Sequence, residues 1–388
     1  MARIGIVAGE SSGDRLGARL IKELYKRRSD LAIEGVAGPS MIEAGCKALY
    51  PMDRLAVMGI VEVLGRYRGL LGLRKKLVEH FLADPPDLFI GIDAPEFNLG
   101  LEEQLHQAGI PTVHYVGPQV WAWREGRLAK IARAVDLMLV LFPFEEAYYR
   151  RHAIPVRFVG HPLADEIPLD TDRFQLRTDL GLPVSKTIMA LLPGSRANEW
   201  RYHVEPFIRT ALWLTHRHPG LHFAIPLVSP ESRNFVQGML DRIGPDLPVS
   251  LYDGRSREVL GAADVVLTVS GTASLESLLL KRPMVVVYRM GWLSYAIAWL
   301  MVHLPYFSLP NLLAGRRIIP ELLQSDVQPE KLGQAILHWL THPKAVIALQ
   351  HEFTELHRSL RRNASSRAAE AVLELLERDP CRNCKTYL

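Results

Sequence analysis

The sequence predicts an α/β protein of two doubly wound domains in tandem, and three observations carry that expectation. Near-continuous apolar runs alternate with segments of 3.6-residue periodicity, the pattern of a parallel sheet covered on both faces. The alternation lapses at 161–185, where HPLADEIPLDTDRFQLRTDLGLPVS is rich in Pro and Asp, and then restarts. The chain has 388 residues, more than one ordinary core accommodates.

The first set of strands reads RIGIVAG (3–9), AIEGVAG (32–38), DLFIGID (87–93), PTVHYVG (111–117), DLMLVLF (136–142) and VRFVG (156–160). Helical segments such as DRLGARLIKELYKR (14–27) lie between several of them. The stretch 161–185 reads as an interdomain connection. A second set follows: TIMALLPGS (187–195), HFAIPLV (222–228), PVSLYD (248–253), ADVVLTVSG (263–271) and RPMVVVYR (282–289). A last helical pattern over about 343–378 reads as one long helix that packs back across the domain boundary. The expected division is 1–165, joined by the terminal helix of about 352–388, and 166–351. Such a tandem places a ligand cleft between the domains, at the C-terminal ends of both sheets.

Composition narrows the function classes. A formal charge of +4 gives no argument for nucleic acid. Basic residues instead cluster beside apolar ones, in GRYRGLLGLRKKL (65–77) and HRSLRRN (357–363). Such patches suit an anionic membrane surface or a phosphorylated ligand, and equally a solvated helix face. Cys46, Cys381 and Cys384 form no disulfide framework, which fits a reducing compartment. The terminal CRNC has no second pair of ligands to complete a metal site and reads as a frayed tail. No signal peptide or spanning stretch is evident, so a cytoplasmic protein is expected.

Five loops carry the chemistry. AGESSGD (8–14) holds Gly9, Ser11, Ser12 and Gly13, with Asp14 opening a helix. It is either a tight capped turn or a path that brings a sugar phosphate to a helix N-terminus. GIDAPEFN (91–98) ends a strand on Asp93 and offers Glu96 three residues later. Pro95 stiffens the turn and pushes Ala94 toward extended geometry, so the two acids serve as helix cap or general base. YVGPQVWAWR (115–124) carries Trp121 and Trp123, which form a wall near the cleft or pack in the core. LLPGSRANEW (191–200) projects Arg196 from a strand–helix turn, suited to a diphosphate or paired with Glu199, while Ser195 caps the helix. SGTASLE (270–276) is the most specific: Ser270, Gly271, Thr272 and Ala273 open a helix whose free N–H groups bind phosphate oxygens, and Glu276 is placed for ribose hydroxyls.

Two apolar surfaces remain. MGIVEVLGRYRGLLGLRKKL (58–77) intersperses Arg66, Arg68, Arg74, Lys75 and Lys76 along a helix. GWLSYAIAWLMVHLPYFSLPN (291–311) is apolar but too short to span a bilayer, which takes about 20 residues. Both are either buried core or helices that meet a membrane interface or hold acyl chains. His161, in VGHPL, reads as a structural histidine or a hinge.

Taken in order, AGESSGD, GIDAPEFN, YVGPQVWAWR, VGHPL, LPGSR with Glu199, SGTASLE, SLPNLLAG (308–315) and PELLQ (320–324) resemble the lipid A disaccharide synthases. The chain departs from that pattern at Ser11, Glu96 and Gly117, where the family usually has Ala, Asp and Ser. The resemblance implies a GT-B fold, with two Rossmann-like domains facing across a cleft, and an inverting transfer without metal or other cofactor. It implies UDP-2,3-diacylglucosamine as donor and 2,3-diacylglucosamine 1-phosphate, lipid X, as acceptor. The product would be the β-1,6 disaccharide 1-phosphate, plus UDP. It also implies a protein held peripherally on the cytoplasmic side of the inner membrane. Asp93 then becomes the base that takes the acceptor's proton, with Glu96 in support. Arg196, the Ser270–Thr272 helix start and Asn311 steady the leaving UDP. Gly9, Ser11, Ser12, Gly13, Trp121, Trp123 and His161 line the acceptor side. The terminal helix is long enough to exchange between protomers, which leaves a homodimer open. Two rivals stay in view: a UDP-GlcNAc 2-epimerase, which needs no lipid surface, and a non-catalytic UDP-sugar-binding membrane adaptor.

Overall fold

A computed structural model describes residues 1–55, 60–118, 120, 125–301 and 304–378. The chain divides into two compact units, Met1–Asp165 with Leu360–Leu388, and Glu166–Ser359. The first carries a seven-stranded sheet of β1 (Ala2–Ala8), β2 (Leu31–Ala37), β3 (Lys47–Pro51), β4 (Leu88–Ile92), β5 (Thr112–Tyr115), β6 (Leu137–Val140) and β7 (Val156–Phe158). Its order is β3-β2-β1-β4-β5-β6-β7, and every pairing is parallel. Alternate strand residues point to opposite faces, and both faces are covered. Ile4, Ile6, Ile90 and Ile92 pack with Leu20, Ile21 and Leu24 of the helix Ser11–Arg27. Phe89 meets Phe81 and Leu101 on the other side.

The second unit repeats the scheme with β8 (Thr187–Leu192), β9 (Leu221–Leu227), β10 (Val249–Asp253), β11 (Val265–Val269), β12 (Met284–Tyr288) and β13 (Glu321–Leu323), in the order β10-β9-β8-β11-β12-β13. In each unit the direction of winding reverses beside the first strand, between β1 and β4 and between β8 and β11. Open α/β sheets bind ligands just beyond the strand ends at such a reversal. The GES and DAPEF loops leave β1 and β4, and the PGSR and SGTAS loops leave β8 and β11.

Three local expectations need correction. The edge strands β3 and β13 escape the apolar pattern, because KALYP and ELL are half-exposed and short. The connection 161–185 contains the helix Arg173–Leu180. Asp172 caps it by accepting from the Phe174 and Gln175 N–H groups, and left-handed Gly181 ends it. The long terminal helix is two helices, Pro343–Leu360 and Ala364–Glu377, broken at Asn363 with φ 56°. There the Asp165 carboxylate accepts from the N–H groups of Asn363 and Ala364, while His161 N–H donates to the Leu360 carbonyl. That polar junction replaces the ladder bonds a continuous helix would have made. The second of these helices belongs to the first unit and buries Ala368, Ala369 and Val372 in its core.

Cys46 is buried, and burial pushes its thiol up to about 12. It is an inert core residue. Cys381 and Cys384 lie outside the described residues.

Candidate functional site

In the first unit the GIDAPEFN turn is not extended. Asp93 and Ala94 both adopt left-handed backbone, at φ 51° and 44°, despite the following proline. Non-glycine residues in that region cost about 1–3 kcal/mol each and persist only where neighbours impose them. Here the imposition is visible. Asp93 N–H donates to the Tyr115 carbonyl at 2.8 Å. The fully buried Asn98 amide donates to the carbonyls of Asp93 at 2.8 Å and Ile92 at 3.2 Å. Arg74 donates to the Glu96 carbonyl at 2.7 Å and lies over the Phe97 ring. Pro95 occupies the first turn of the helix Pro95–Gln107, where its missing N–H costs nothing.

The consequence for the two acids is a division of roles. Glu96 is exposed and ion-paired with Arg127. Asp93 is half-buried, and among the described residues no hydrogen bond reaches its carboxylate. It is the acid left available for a ligand.

The AGESSGD loop lies against this turn. A Cβ on Gly9 would fall 2.8 Å from the Ala94 Cβ, so glycine is required for the two loops to meet. Ser11 and Ser12 begin the helix Ser11–Arg27 and are exposed, and Gly13 is buried. Asp14 does not open that helix, as the sequence suggested. It sits in the first turn, and its carboxylate accepts from the N–H groups of Gly38, Ser40 and Met41 at 2.9–3.0 Å. It thereby caps the next helix, Pro39–Glu43. His161 accepts from the Leu163 N–H and stacks near Phe142, which suits its structural reading. Trp121 and Trp123 lie outside the described residues.

The second unit holds a polar cavity of about 330 Å³ at the ends of β8 and β11. Gly194, Arg196, Glu199, Ser270, Gly271, Thr272 and Ala273 contribute to its lining. Glu199 shapes one wall: its carboxylate accepts from Ser195 N–H at 2.7 Å and Arg196 N–H at 3.2 Å. It takes over the capping role expected of Ser195. Gly194 has φ 110°, and any Cβ there would strike Glu199 at 2.4 Å. His203 holds the same helix in place. Its Nδ1 donates to the Glu199 carbonyl and its Nε2 accepts from Arg289 N–H; burial holds its pKa below the usual histidine range, against the raising effect of the Glu199 bond.

Arg196 itself is 82% exposed, with Glu199 3.4 Å away. An exposed pair of this kind contributes ~0–1 kcal/mol, so the guanidinium exchanges partners at little cost. On the opposite wall the helix Thr272–Leu279 begins at Gly271 with no side-chain cap. Its first N–H groups and its dipole face a cavity suited to an anion.

Two sequence candidates sit elsewhere. Asn311 is fully buried, accepting from Ile318 and Ile319 N–H and donating to the Ile319 carbonyl and the Glu321 carboxylate. Its amide is engaged internally, and it braces the loop that joins SLPNLLAG to PELLQ. Glu276 lies beyond the lining, 3.8 Å from Arg257. Ser270 keeps its place in the wall, although its hydroxyl donates to the Phe307 carbonyl at 2.9 Å.

Sequence reasoning missed Asn98, Arg74 and Glu321 as the residues that hold these loops. Asn98 lies within the quoted GIDAPEFN and Glu321 within PELLQ, so the motifs marked their importance without revealing their work.

A family model described as lipid-A-disaccharide synthetase matches residues 4–372. The lipid-A-disaccharide synthase of Azotobacter vinelandii is 54% identical over 378 residues, covering 97% of this chain and 98% of that protein. The Hahella chejuensis lipid-A-disaccharide synthase is 49% identical over 376 residues, covering 97% and 95%. Among solved structures, the UDP-GlcNAc 2-epimerase of Neisseria meningitidis bound to UDP-GlcNAc aligns with TM-score 0.66 at 14% identity, covering 96% of this chain and all of that one. The glycosyltransferase of kitacinnamycin aligns with TM-score 0.65 at 17% identity, covering 96% and 98%. At such identities the likeness speaks for the fold, which is GT-B.

Proposed function

The chain belongs to the lipid-A-disaccharide synthetase family, and from that premise we propose how its two units divide the work. The protein is a hexosyltransferase that forms the lipid A disaccharide. In our reading the second unit holds the donor, UDP-2,3-diacylglucosamine, and the first supplies the base that activates lipid X. The observation that carries the reading is the pairing of an anion-suited cavity at the β8/β11 reversal with an unengaged carboxylate at the β1/β4 reversal.

Inversion by direct displacement asks for one base. Asp93 takes the proton from the acceptor's 6-hydroxyl as that oxygen attacks the anomeric carbon and the bond to UDP breaks. Negative charge grows on the departing diphosphate, where Arg196 and the Thr272 and Ala273 N–H groups stabilise it. Fixed donors of this kind act without reorganisation at the moment of reaction. Glu96, already paired with Arg127, steadies the turn and leaves Asp93 as the acting base.

We further propose that the protein works at the inner-membrane surface. No helix among the described residues is long and apolar enough to cross a membrane. The helix Trp292–Met301 nevertheless exposes Trp292 and Trp299 at 80% and 70%, a costly arrangement in water alone. Lys75 and Lys76 stand exposed beside Leu71 on the helix Ile60–Ala83.

The testing experiment measures UDP release from UDP-2,3-diacylglucosamine, with and without lipid X and without added metal. Release that requires lipid X is expected. Release without acceptor would indicate hydrolysis, and no release would return the epimerase and adaptor readings. A second expectation concerns the loop contact: Gly9→Val displaces Ala94 and lowers kcat by about 10–100-fold, since misplacement by ~1 Å costs this much. Steady-state kinetics beside UDP titration checks it, with UDP affinity unchanged.

A further inference from the structure

Beside the polar cavity the second unit contains a larger and drier one, of about 630 Å³. Met290, Tyr295, Trp299, Leu304, Phe307 and Leu323 form its walls, and Ser270 belongs to both cavities. The size falls within the ~300–1,000 Å³ range of ligand pockets.

The Tyr288, Tyr295 and Tyr306 hydroxyls and the Arg317 guanidinium also line this second cavity, but its carboxylate and its serine are engaged within the protein. The Glu321 carboxylate accepts from the N–H groups of Phe307 and Ser308, the Ser308 hydroxyl and the Asn311 amide. Ser270 gives its hydroxyl to the Phe307 carbonyl, and Arg317 donates to the Glu321 carbonyl. A largely apolar wall whose carboxylate and serine are internally satisfied favours a ligand part with few hydrogen bonds to make. Nucleotides and sugars do not meet that description; hydrocarbon does.

We propose that this cavity receives one acyl chain of the sugar nucleotide whose diphosphate occupies the polar cavity across Ser270. The inference rests on the donor assignment made above and extends it to the lipid part of the donor. One ligand thus spans two adjoining sites, its charged end against the Arg196 loop and Thr272 helix start, and its chain among Met290, Phe307 and Leu323. Chain length then enters affinity directly. Each methylene buried there strengthens binding about fourfold.

The test compares dissociation constants for UDP-2,3-diacylglucosamine bearing four-carbon and eight-carbon chains, each kept monomeric, in the intact protein and in the variants Met290→Trp and Leu323→Phe. UDP alone serves as the reference for the polar cavity and for folding. In the unaltered protein the longer donor is expected to bind about 10²-fold more tightly. In Met290→Trp that ratio should fall to about 10 or less while UDP binds as before, and Leu323→Phe should reduce it in the same direction. A ratio near one in the unaltered protein, or a ratio untouched by both variants, overturns the proposal.

Two further outcomes separate the cavity from the donor assignment. Chain-dependent binding without any transfer to lipid X would leave the cavity standing and sink the transferase mechanism. Absence of binding by UDP and by both donors would sink both. Flotation with phosphatidylglycerol vesicles forms a last arm: if Met290→Trp loses flotation while the chain-length ratio persists, the cavity takes a membrane lipid and the donor-chain proposal is wrong.

Discussion

Replacing Asp93 by Asn lowers kcat by about 10²–10⁴-fold, the usual contribution of a positioned general base, and leaves UDP affinity within about twofold. Asn is the informative substitution because of the backbone. Asp93 holds φ 51°, a conformation Asn adopts more readily than other non-glycine residues. The amide therefore keeps the turn, its Tyr115 and Asn98 bonds included, and removes the proton acceptor. Asp93→Ala adds a conformational penalty to the chemical one, so its loss should equal or exceed that of Asp93→Asn. Steady-state kinetics with lipid X varied, beside UDP titration, makes the measurement. Turnover near the unaltered rate in Asp93→Asn would place the base elsewhere.

The second large effect concerns stability. Asp264→Ala should destabilise the second unit by about 3–5 kcal/mol, the usual result of removing one partner from a buried ion pair. Asp264 binds Arg173 at 2.6 Å and Arg177 at 2.5 Å, and also accepts from Ile188 N–H at 2.7 Å. Arg177 is 4% exposed, so deleting the carboxylate leaves its charge away from water with only the Ala262, Val184 and Lys186 carbonyls as partners. The network ties the helix Arg173–Leu180 to the start of β8 and to the end of the helix Ser256–Ala262, through Arg177 and the Ala262 carbonyl. Urea unfolding followed by tryptophan fluorescence reads the loss, since Trp200, Trp213 and Trp339 all lie in this unit. Saturating UDP should recover part of it, because a ligand of the folded state stabilises in proportion to RT ln(1 + [L]/Kd). A change below about 1 kcal/mol would mean the pair contributes little beyond hydration.

The sequence pattern is informative where local chemistry and tertiary structure agree. Buried parallel strands announce themselves, because both faces must be apolar. Eleven of the strands were therefore readable as apolar runs, from Ala2–Ala8 to Met284–Tyr288, while Lys47–Pro51 and Glu321–Leu323, two of the four edge strands, were not. Neither of these two buries a single residue, so they carry no comparable signature. Asp172 and Gly181 marked the helix Arg173–Leu180 by ordinary capping rules, yet the Pro- and Asp-rich surroundings obscured it.

The candidate site divides along the same line. SGTAS and PGSR were recognisable as phosphate-suited turns because small residues and an Arg at a strand end have a local reason to be there. Ala94 was misread for the opposite reason. A proline neighbour favours extended backbone, and bonds from Asn98 within the motif and from Tyr115 and Arg74 outside it hold the turn left-handed. That the Asn311 amide bonds Ile318, Ile319 and Glu321 was likewise not legible from its motif.

By itself, then, the sequence determined the tandem of parallel sheets, the loops that leave their strand ends, the family, and the kinds of groups offered to a ligand. These follow from periodicity and from residue chemistry, both of which act over a few neighbours. The tertiary structure alone decided which acid stays unengaged, which polar side chains are spent on the protein, and where a dry cavity adjoins a polar one. Those are questions of satisfaction and burial, and their answers lie with partners that the folded chain brings together, some a few residues away and others tens.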